Sequence, residues 1–348
     1  MIVRLHLIAL ALILSSGLAI AQGFAGLGRA TDGFSLPERG YTFKFPRDHG
    51  AHPDFQIEWW YVTANLTDEQ GRDLGLQWTL FRSAFAPEVS DDWDSPQLWL
   101  AHAAVTTPDD HFVAERRARG GIGQAGVIAD PFNAWIDEWH MSGPDMSNLR
   151  LVARGKSFGY DMSLTAQGPL VFHGDDGYSQ KSASGRASYY YSQPFYEISG
   201  VLTLPEGEVS VTGTAWLDRE WASQPLAATQ VSWNWFSMVF ASGARLMGFT
   251  LHDSDGSDYT SASWIEPDGR TTAFPDGAFN ATPLEQSDVA GRSVPTRWRV
   301  ELPARGVDVT VEAINRQSWM DTSVDYWEGP VRITGSHEGY GYLEMTGY

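Results

Sequence analysis

Apolar residues recur at every second position along most of this chain, a spacing that suits a strand and not a helix. Over residues 73–82, Leu74, Leu76, Trp78 and Leu80 share one face, while Gly75, Gln77, Thr79 and Phe81 take the other. Over residues 208–218, Val209, Val211, Gly213, Ala215 and Leu217 alternate with Ser210, Thr212, Thr214, Trp216 and Asp218. The same spacing predicts short strands at 98–105, 149–153, 160–166, 196–204, 233–240, 246–252, 307–313 and 340–346. Asp-Gly pairs at Asp176-Gly177, Asp255-Gly256, Asp268-Gly269 and Asp276-Gly277 punctuate the pattern. Such pairs accept the left-handed backbone of tight hairpin turns. No long segment carries a helical stripe. An all-β chain of sandwich or barrel architecture is expected.

The N-terminus reads as an export signal. Arg4 precedes the apolar run Leu-Ile-Ala-Leu-Ala-Leu-Ile-Leu at 7–14, and Ala19-Ile20-Ala21 is an A-x-A cleavage site. Cleavage near Ala21 predicts a periplasmic or secreted protein, with residues 22–34 as a flexible leader into the fold. A net charge of −19 argues against a nucleic-acid partner, which would meet a basic face. There is no cysteine, so burial alone must stabilise the fold even where disulfides are permitted. Fifteen tryptophans imply either large aromatic cores or a ring-lined cavity, and composition does not separate the two. The polar, Pro-containing break Ala222-Ser223-Gln224-Pro225 suggests two domains, 35–224 and 225–348.

Three familiar patterns fail their context tests. Residues 121–126 spell G-x-G-x-x-G, but a charged run and not an apolar strand precedes them. Residues 155–159 spell G-x-S-x-G, but strands flank both sides, which puts Ser157 in a hairpin and not at a nucleophile elbow. The same Gly-Lys-Ser is no phosphate loop, because Arg150 stands where the first glycine is required. His49 and His52 have H-x-x-H spacing beside Asp48 and Glu58, a weak metal candidate. The competing reading, and the favoured one, is a polar loop that bridges strands. No cofactor is expected.

Two acid-bearing aromatic segments stand out. Glu58 lies within Ile57-Glu58-Trp59-Trp60-Tyr61. A carboxylate there must be paired in the core or face a polar cavity, and the sequence leaves both open. The segment Trp216-Leu217-Asp218-Arg219-Glu220-Trp221 places three charges between two tryptophans, and Trp233-Asn234-Trp235 follows. A carboxyl kept neutral by burial could protonate an unactivated C=C. Indole faces would stabilise the resulting cation. Asp218 is the candidate acid, and the alternative is an ion-paired strand end with Arg219.

These residues also carry a resemblance. Phe45-Pro46-Arg47-Asp48-His49-Gly50-Ala51-His52-Pro53 with Glu58-Trp59-Trp60-Tyr61 resembles the opening signature of the carotenoid 1,2-hydratase family, the CrtC/AttH lipocalin-like proteins. The likeness continues through His173-Gly174-Asp175, Tyr189-Tyr190-Tyr191, 216–221, 233–236, Tyr326-Trp327-Glu328-Gly329 and 341–348. It implies two packed calycin-like β-barrel or sandwich domains with a pocket for a hydrophobic ligand. Glu58, Asp218 and Arg219 would then be the chemical candidates, and Trp59, Trp60, Tyr190, Trp216, Trp221, Trp233 and Trp235 the ligand-binding ones. Hydratase members of the family add water to a carotenoid, and many exported AttH-type members have no assigned activity. One departure matters: relatives often carry histidine after the W-x-D aspartate. Here Arg219 stands in its place, and an arginine is no general base.

The leading expectation is an exported lipocalin-like protein that binds a lipid- or terpenoid-like molecule, with or without hydratase-like acid chemistry. A second is an accessory subunit handing lipid or lipoprotein to an ABC-type membrane permease. A third, secreted hydrolysis, lacks a convincing nucleophile–base pair. Oligomeric state and ligand identity are not readable from the sequence.

Overall fold

The computed structural model describes residues 32–348, Pro225 and Ala228 excepted. The expected export signal, most of the expected 22–34 leader and Pro225 of the expected domain break thus lie outside the described residues.

The described chain is all-β, with two curled, barrel-like antiparallel sheets. The first begins at the edge with His111–Arg119, then Gln97–Thr106, Asp73–Ala84, Ile57–Asp68 and Gly207–Ala222. It continues through Ala187–Leu204, Gly159–Ala166, Asn148–Arg154, Trp139–Asp145, Phe132–Ile136 and Ala125–Ala129. The second runs from Thr271–Phe274 through Asp258–Ile265, Arg245–Asp253, Gln230–Phe240 and Gly339–Met345. It ends with Tyr326–Gly335, Val307–Ala313, Arg292–Leu302 and Asn280–Val289. Asp-Gly turns close several of these hairpins, with positive φ at Asp176, Gly177, Gly256, Gly269 and Gly277. Ser157 sits exposed in the hairpin between Asn148–Arg154 and Gly159–Ala166, as its context predicted.

Each curled sheet encloses its own core. The first is filled by Trp60, Trp78, Leu80, Trp139, Met141 and Leu217, among others. The second is built around Phe236, Trp298, Trp327 and Leu343. A third apolar layer joins the sheets and includes Tyr61, Tyr190, Trp216, Trp235, Met247, Phe249 and Tyr342. Close approach is built in at Gly75, where a Cβ would stand 2.6 Å from the Pro330 ring.

The strand Ala187–Leu204 is interrupted by a bulge between Gln193 and Tyr196, which contains Pro194. Proline cannot donate to a ladder and is accommodated at such irregularities. The bulge adds one residue, so the side facing the barrel interior changes from odd positions (Tyr189, Tyr191) to even ones (Tyr196, Ile198). Phe195 is thereby turned out into the inter-sheet layer.

Candidate functional site

Neighbours in a β-ladder share a face, and successive residues of one strand do not. The register of the central strands therefore sorts the acid-bearing segments into two groups. Glu58 stands opposite Arg82 and Trp221, and Trp60 stands opposite Leu80 and Arg219. These side chains point into the first barrel. Trp59 stands opposite Phe81 and Glu220, and Tyr61 opposite Thr79 and Asp218. These point toward the second sheet.

The inward group is a sealed ion cluster. The Glu58 carboxylate accepts from Arg82 Nε and Arg219 Nη2, and from the His52 backbone N–H at 2.9 Å. Burial by itself would raise its pKa, but the two guanidiniums outweigh burial and hold it well below the usual range. Arg219 lies 3.8 Å over the Trp60 ring, and His52 stacks on Trp221 with centroids 4.0 Å apart. His49 Nδ1 meets the Tyr191 hydroxyl at 2.7 Å, and burial pulls the imidazole down to about 4. The 49–52 segment is thus tied through its two histidines to Tyr191, Glu58 and Trp221 of the neighbouring strands. Glu58, Arg219, Trp60 and Trp221 are corrected as chemical or ligand-binding candidates: strand alternation turns them away from the cavity described next. Arg219 does not pair with Asp218, because the two neighbours project to opposite faces.

The outward group borders a cleft between the sheets. Its walls are Trp59, Tyr61, Thr79, Phe81, Lys181, Glu220, Leu226, Trp233, Trp235, Phe249, Leu251 and Glu344. The empty space between these walls is about 700 Å³ when the open solvent at its mouth is counted, and about 100 Å³ of it is room for a bound molecule's atoms to enter as water would. Of the expected ligand-binding residues, Trp59, Trp233 and Trp235 are brought together here. Two carboxyls reach the wall from opposite sheets. Glu220, from the first, pairs with Lys181 Nζ at 2.9 Å, and that ammonium also lies 4.4 Å from the Phe249 ring centroid. Glu344, from the second, accepts from Trp233 Nε1 at 2.6 Å. Burial pushes Glu344 up to about 7, bonds from Trp233 and Tyr61 offset part of the rise, and the charge of Glu220 adds to it.

Asp218 and its partners lie just behind this wall. Trp216 Nε1 donates to Asp218 Oδ1 at 2.8 Å, and Ser192 Oγ donates to the same atom. Burial raises this carboxyl to about 7, partly offset by the Ser192, Trp216 and Tyr190 hydroxyl and indole groups. The Tyr190 hydroxyl accepts from Trp235 Nε1 at 3.2 Å, so Trp235 and Tyr190 stand between Asp218 and the cavity. Tyr190, Trp216 and Asp218 thus support the wall and do not form it. His173 Nε2 lies 2.7 Å from Ser192 Oγ. This places a serine between a histidine and an aspartate, the reverse of the order a hydrolytic triad needs, in which the histidine is the middle member.

Glu344, Glu328, Tyr61 and Lys181 were not singled out in the sequence. The signal that flagged Glu58, an acid within an aromatic strand, is equally present in Tyr326-Trp327-Glu328 and Tyr342-Leu343-Glu344. Glu328 accepts from the Tyr61 hydroxyl, and burial together with the charge of Glu344 lifts it well above its ordinary value. Among the described residues, no group of three or more His, Cys, Asp or Glu is arranged to hold a metal.

Two barrel-like sheets with an aromatic cleft between them define a lipocalin-like architecture. Residues 36–348 match the model of the AttH-like family, and the chain belongs to that family. A crystal structure of an AttH-type protein from Nitrosomonas europaea superposes with a TM-score of 0.81 at 31% identity, covering 90% of this chain and 99% of that one. Kievitone hydratase from Nectria haematococca shares the fold at 15% identity and a TM-score of 0.66, covering 90% of this chain and 98% of its own. CghA, solved with Sch210972, shares it at 12% identity and a TM-score of 0.57, covering 91% and 97%. No curated protein matches the chain.

Proposed function

We propose that this protein binds a hydrophobic, lipid- or terpenoid-like molecule in the inter-sheet cleft and adds water across one of its C=C bonds. The observation that carries the reading is a carboxyl with a pKa near 7, Glu344, on the wall of a cavity lined with tryptophans. A neutral carboxyl can donate a proton to an alkene carbon, the step that an ionised one cannot perform. The π electrons form the new C–H bond, and the cation left on the neighbouring carbon faces the rings of Trp233 and Trp235. Water then forms the C–O bond. Its surplus proton passes to the Glu220 carboxylate, which Lys181 holds on the opposite sheet, and Glu344 is left ionised. Residues 1–21 lead us to place this activity outside the cytoplasm. The kinship in fold to a hydratase agrees with the reading and does not establish it.

The test uses delipidated protein. Acyclic terpenoids and fatty acyl probes are titrated by tryptophan quenching, and turnover is followed in ¹⁸O-water by mass spectrometry. Saturable quenching and one added, labelled water are expected. Glu344→Gln should abolish addition and retain binding. Binding without addition by the wild type would reduce the protein to a carrier, and no saturable quenching would sink the reading altogether.

A further inference from the structure

Ladder partners Tyr61, Thr79, His102 and Glu115 form one row across four neighbouring strands of the first sheet. Opposite this row, Glu344 and Glu328 are ladder partners on the second sheet. The two rows interlock. Glu344 and Glu328 both meet the Tyr61 hydroxyl, which donates to Glu328 Oε1. The Tyr326 hydroxyl bears on the same Glu328 carboxyl and lies 3.0 Å from His102 Nδ1. His102 Nε2 lies 3.4 Å from Glu115 Oε1. Glu115 is the member that reaches solvent, its side chain 18% exposed, and Ser323 N–H and Oγ pin it. His102, Tyr326 and Glu328 are fully enclosed, with Ala104, Met320 and Val113 packed around Tyr326.

We infer that Tyr61, Glu328, Tyr326 and His102 form a proton relay that connects Glu344 in the cleft with Glu115 at the surface. Every member can both give and accept a proton at the atom facing its neighbour. The groups facing the relay from surrounding strands are Thr79, Thr106, Tyr160, Tyr342 and Arg117, with Asp218 opposite Tyr61 in its ladder and Glu220 near Glu344 at the cleft end. Both acids stand at the cleft end, and none of the groups facing Tyr326 and His102 bears a negative charge that would trap a proton midway.

The transfer balances. Glu344 left ionised takes the Tyr61 proton, Tyr61 takes one from Glu328, and Glu328 takes one from Tyr326. Tyr326 takes one from His102 Nδ1, and His102 Nε2 takes one from solvent through Glu115. One proton enters at the surface for each proton that Glu344 gives up, the proton that Glu220 took from water leaves through the open mouth of the cleft, and no other bond changes. The Tyr61 and Tyr326 hydroxyls both bear on the one Glu328 carboxyl, so it can take a proton from one and give a proton to the other. This inference rests on Glu344 as the acid of the cleft, but the relay can be measured without any ligand.

The measurement is H/D exchange of the buried protonated carboxyls, followed by infrared spectroscopy at mildly acidic pH on the full exported chain. The band lost in Glu328→Gln identifies the enclosed carboxyl of the relay. With the route to the open cleft removed by Glu344→Gln, that band should exchange roughly tenfold or more slowly once Tyr326→Phe or Glu115→Gln is added, because exchange must then wait for local opening. Circular dichroism confirms the fold, and Glu115→Gln, at the partly exposed end, decides the matter if Tyr326→Phe does not fold. Unchanged exchange in a folded variant overturns the relay, as does the absence of any band assignable to Glu328. Failure to bind terpenoids would end the hydratase reading and leave the exchange result standing.

Discussion

At the scale of single residues, two kinds of acid coexist around the same central strands. Glu58 is ionised because two guanidiniums face it, whereas Asp218 and Glu344 are raised because burial outweighs their hydrogen bonds. Glu58→Gln should therefore destabilise the fold by about 3–5 kcal/mol, since it strands Arg82 and Arg219 without their counter-charge. Urea unfolding checks it. The pH dependence has a definite sign. A carboxyl whose folded pKa is raised binds more protons folded than unfolded, so stability falls as pH rises from the unfolded value, near 4, to about 7. Asp218 and Glu344 should each contribute on the order of a few kcal/mol to that fall. Urea midpoints at pH about 5 and about 8 should differ less in Glu344→Gln than in the wild type. Glu58 works in the opposite sense and in another window, with its stabilisation lost only as pH drops below the ordinary carboxylate range. The tryptophans and the acids Glu58 and Asp218 were legible in the sequence, whereas Glu344 was not singled out. Which acid faced which side was not, because Trp216-Leu217-Asp218-Arg219-Glu220-Trp221 is apolar, polar or charged on both faces, and hydrophobic alternation gives no orientation there.

At the scale of elements, the strands were legible wherever one face met a core and the other met solvent. Val307–Ala313 was readable to its ends for that reason. Ala187–Leu204 was read only from residue 196, because the bulge at Pro194 switches the parity and its first half is buried on both faces. The strand Asp73–Ala84 packs through Gly75 against Pro330 and the Tyr342 hydroxyl. Gly75→Ala should cost about 1–3 kcal/mol by overpacking that contact. It should also weaken probe binding, because the same two elements carry Thr79, Phe81 and, through its ladder neighbour, Glu344. Calorimetry and quenching titrations on one preparation test both effects.

At the scale of the whole molecule, the cleft belongs to neither sheet alone. Trp59, Tyr61, Phe81 and Glu220 come from the first sheet, and Trp233, Trp235, Phe249 and Glu344 from the second. A bound ligand should raise amide protection in Ile57–Asp68 and Gln230–Phe240 together, and the thermal midpoint with it. Protection confined to one sheet would place the ligand elsewhere.

By itself the sequence determined the all-β class, the hairpin turns, the aromatic richness and the family likeness, because period-2 patterning, Asp-Gly turns and linear motifs are local properties of the chain. The tertiary structure decided that Glu58 is a core ion pair, that Asp218 stands behind the wall and that Glu344 stands on it. Burial sets a carboxyl's protonation, and burial depends on which face of which strand meets the other sheet. Residues 61, 220 and 344 are far apart in the chain, and only the register of four strands and the packing of two sheets brings them to one cleft.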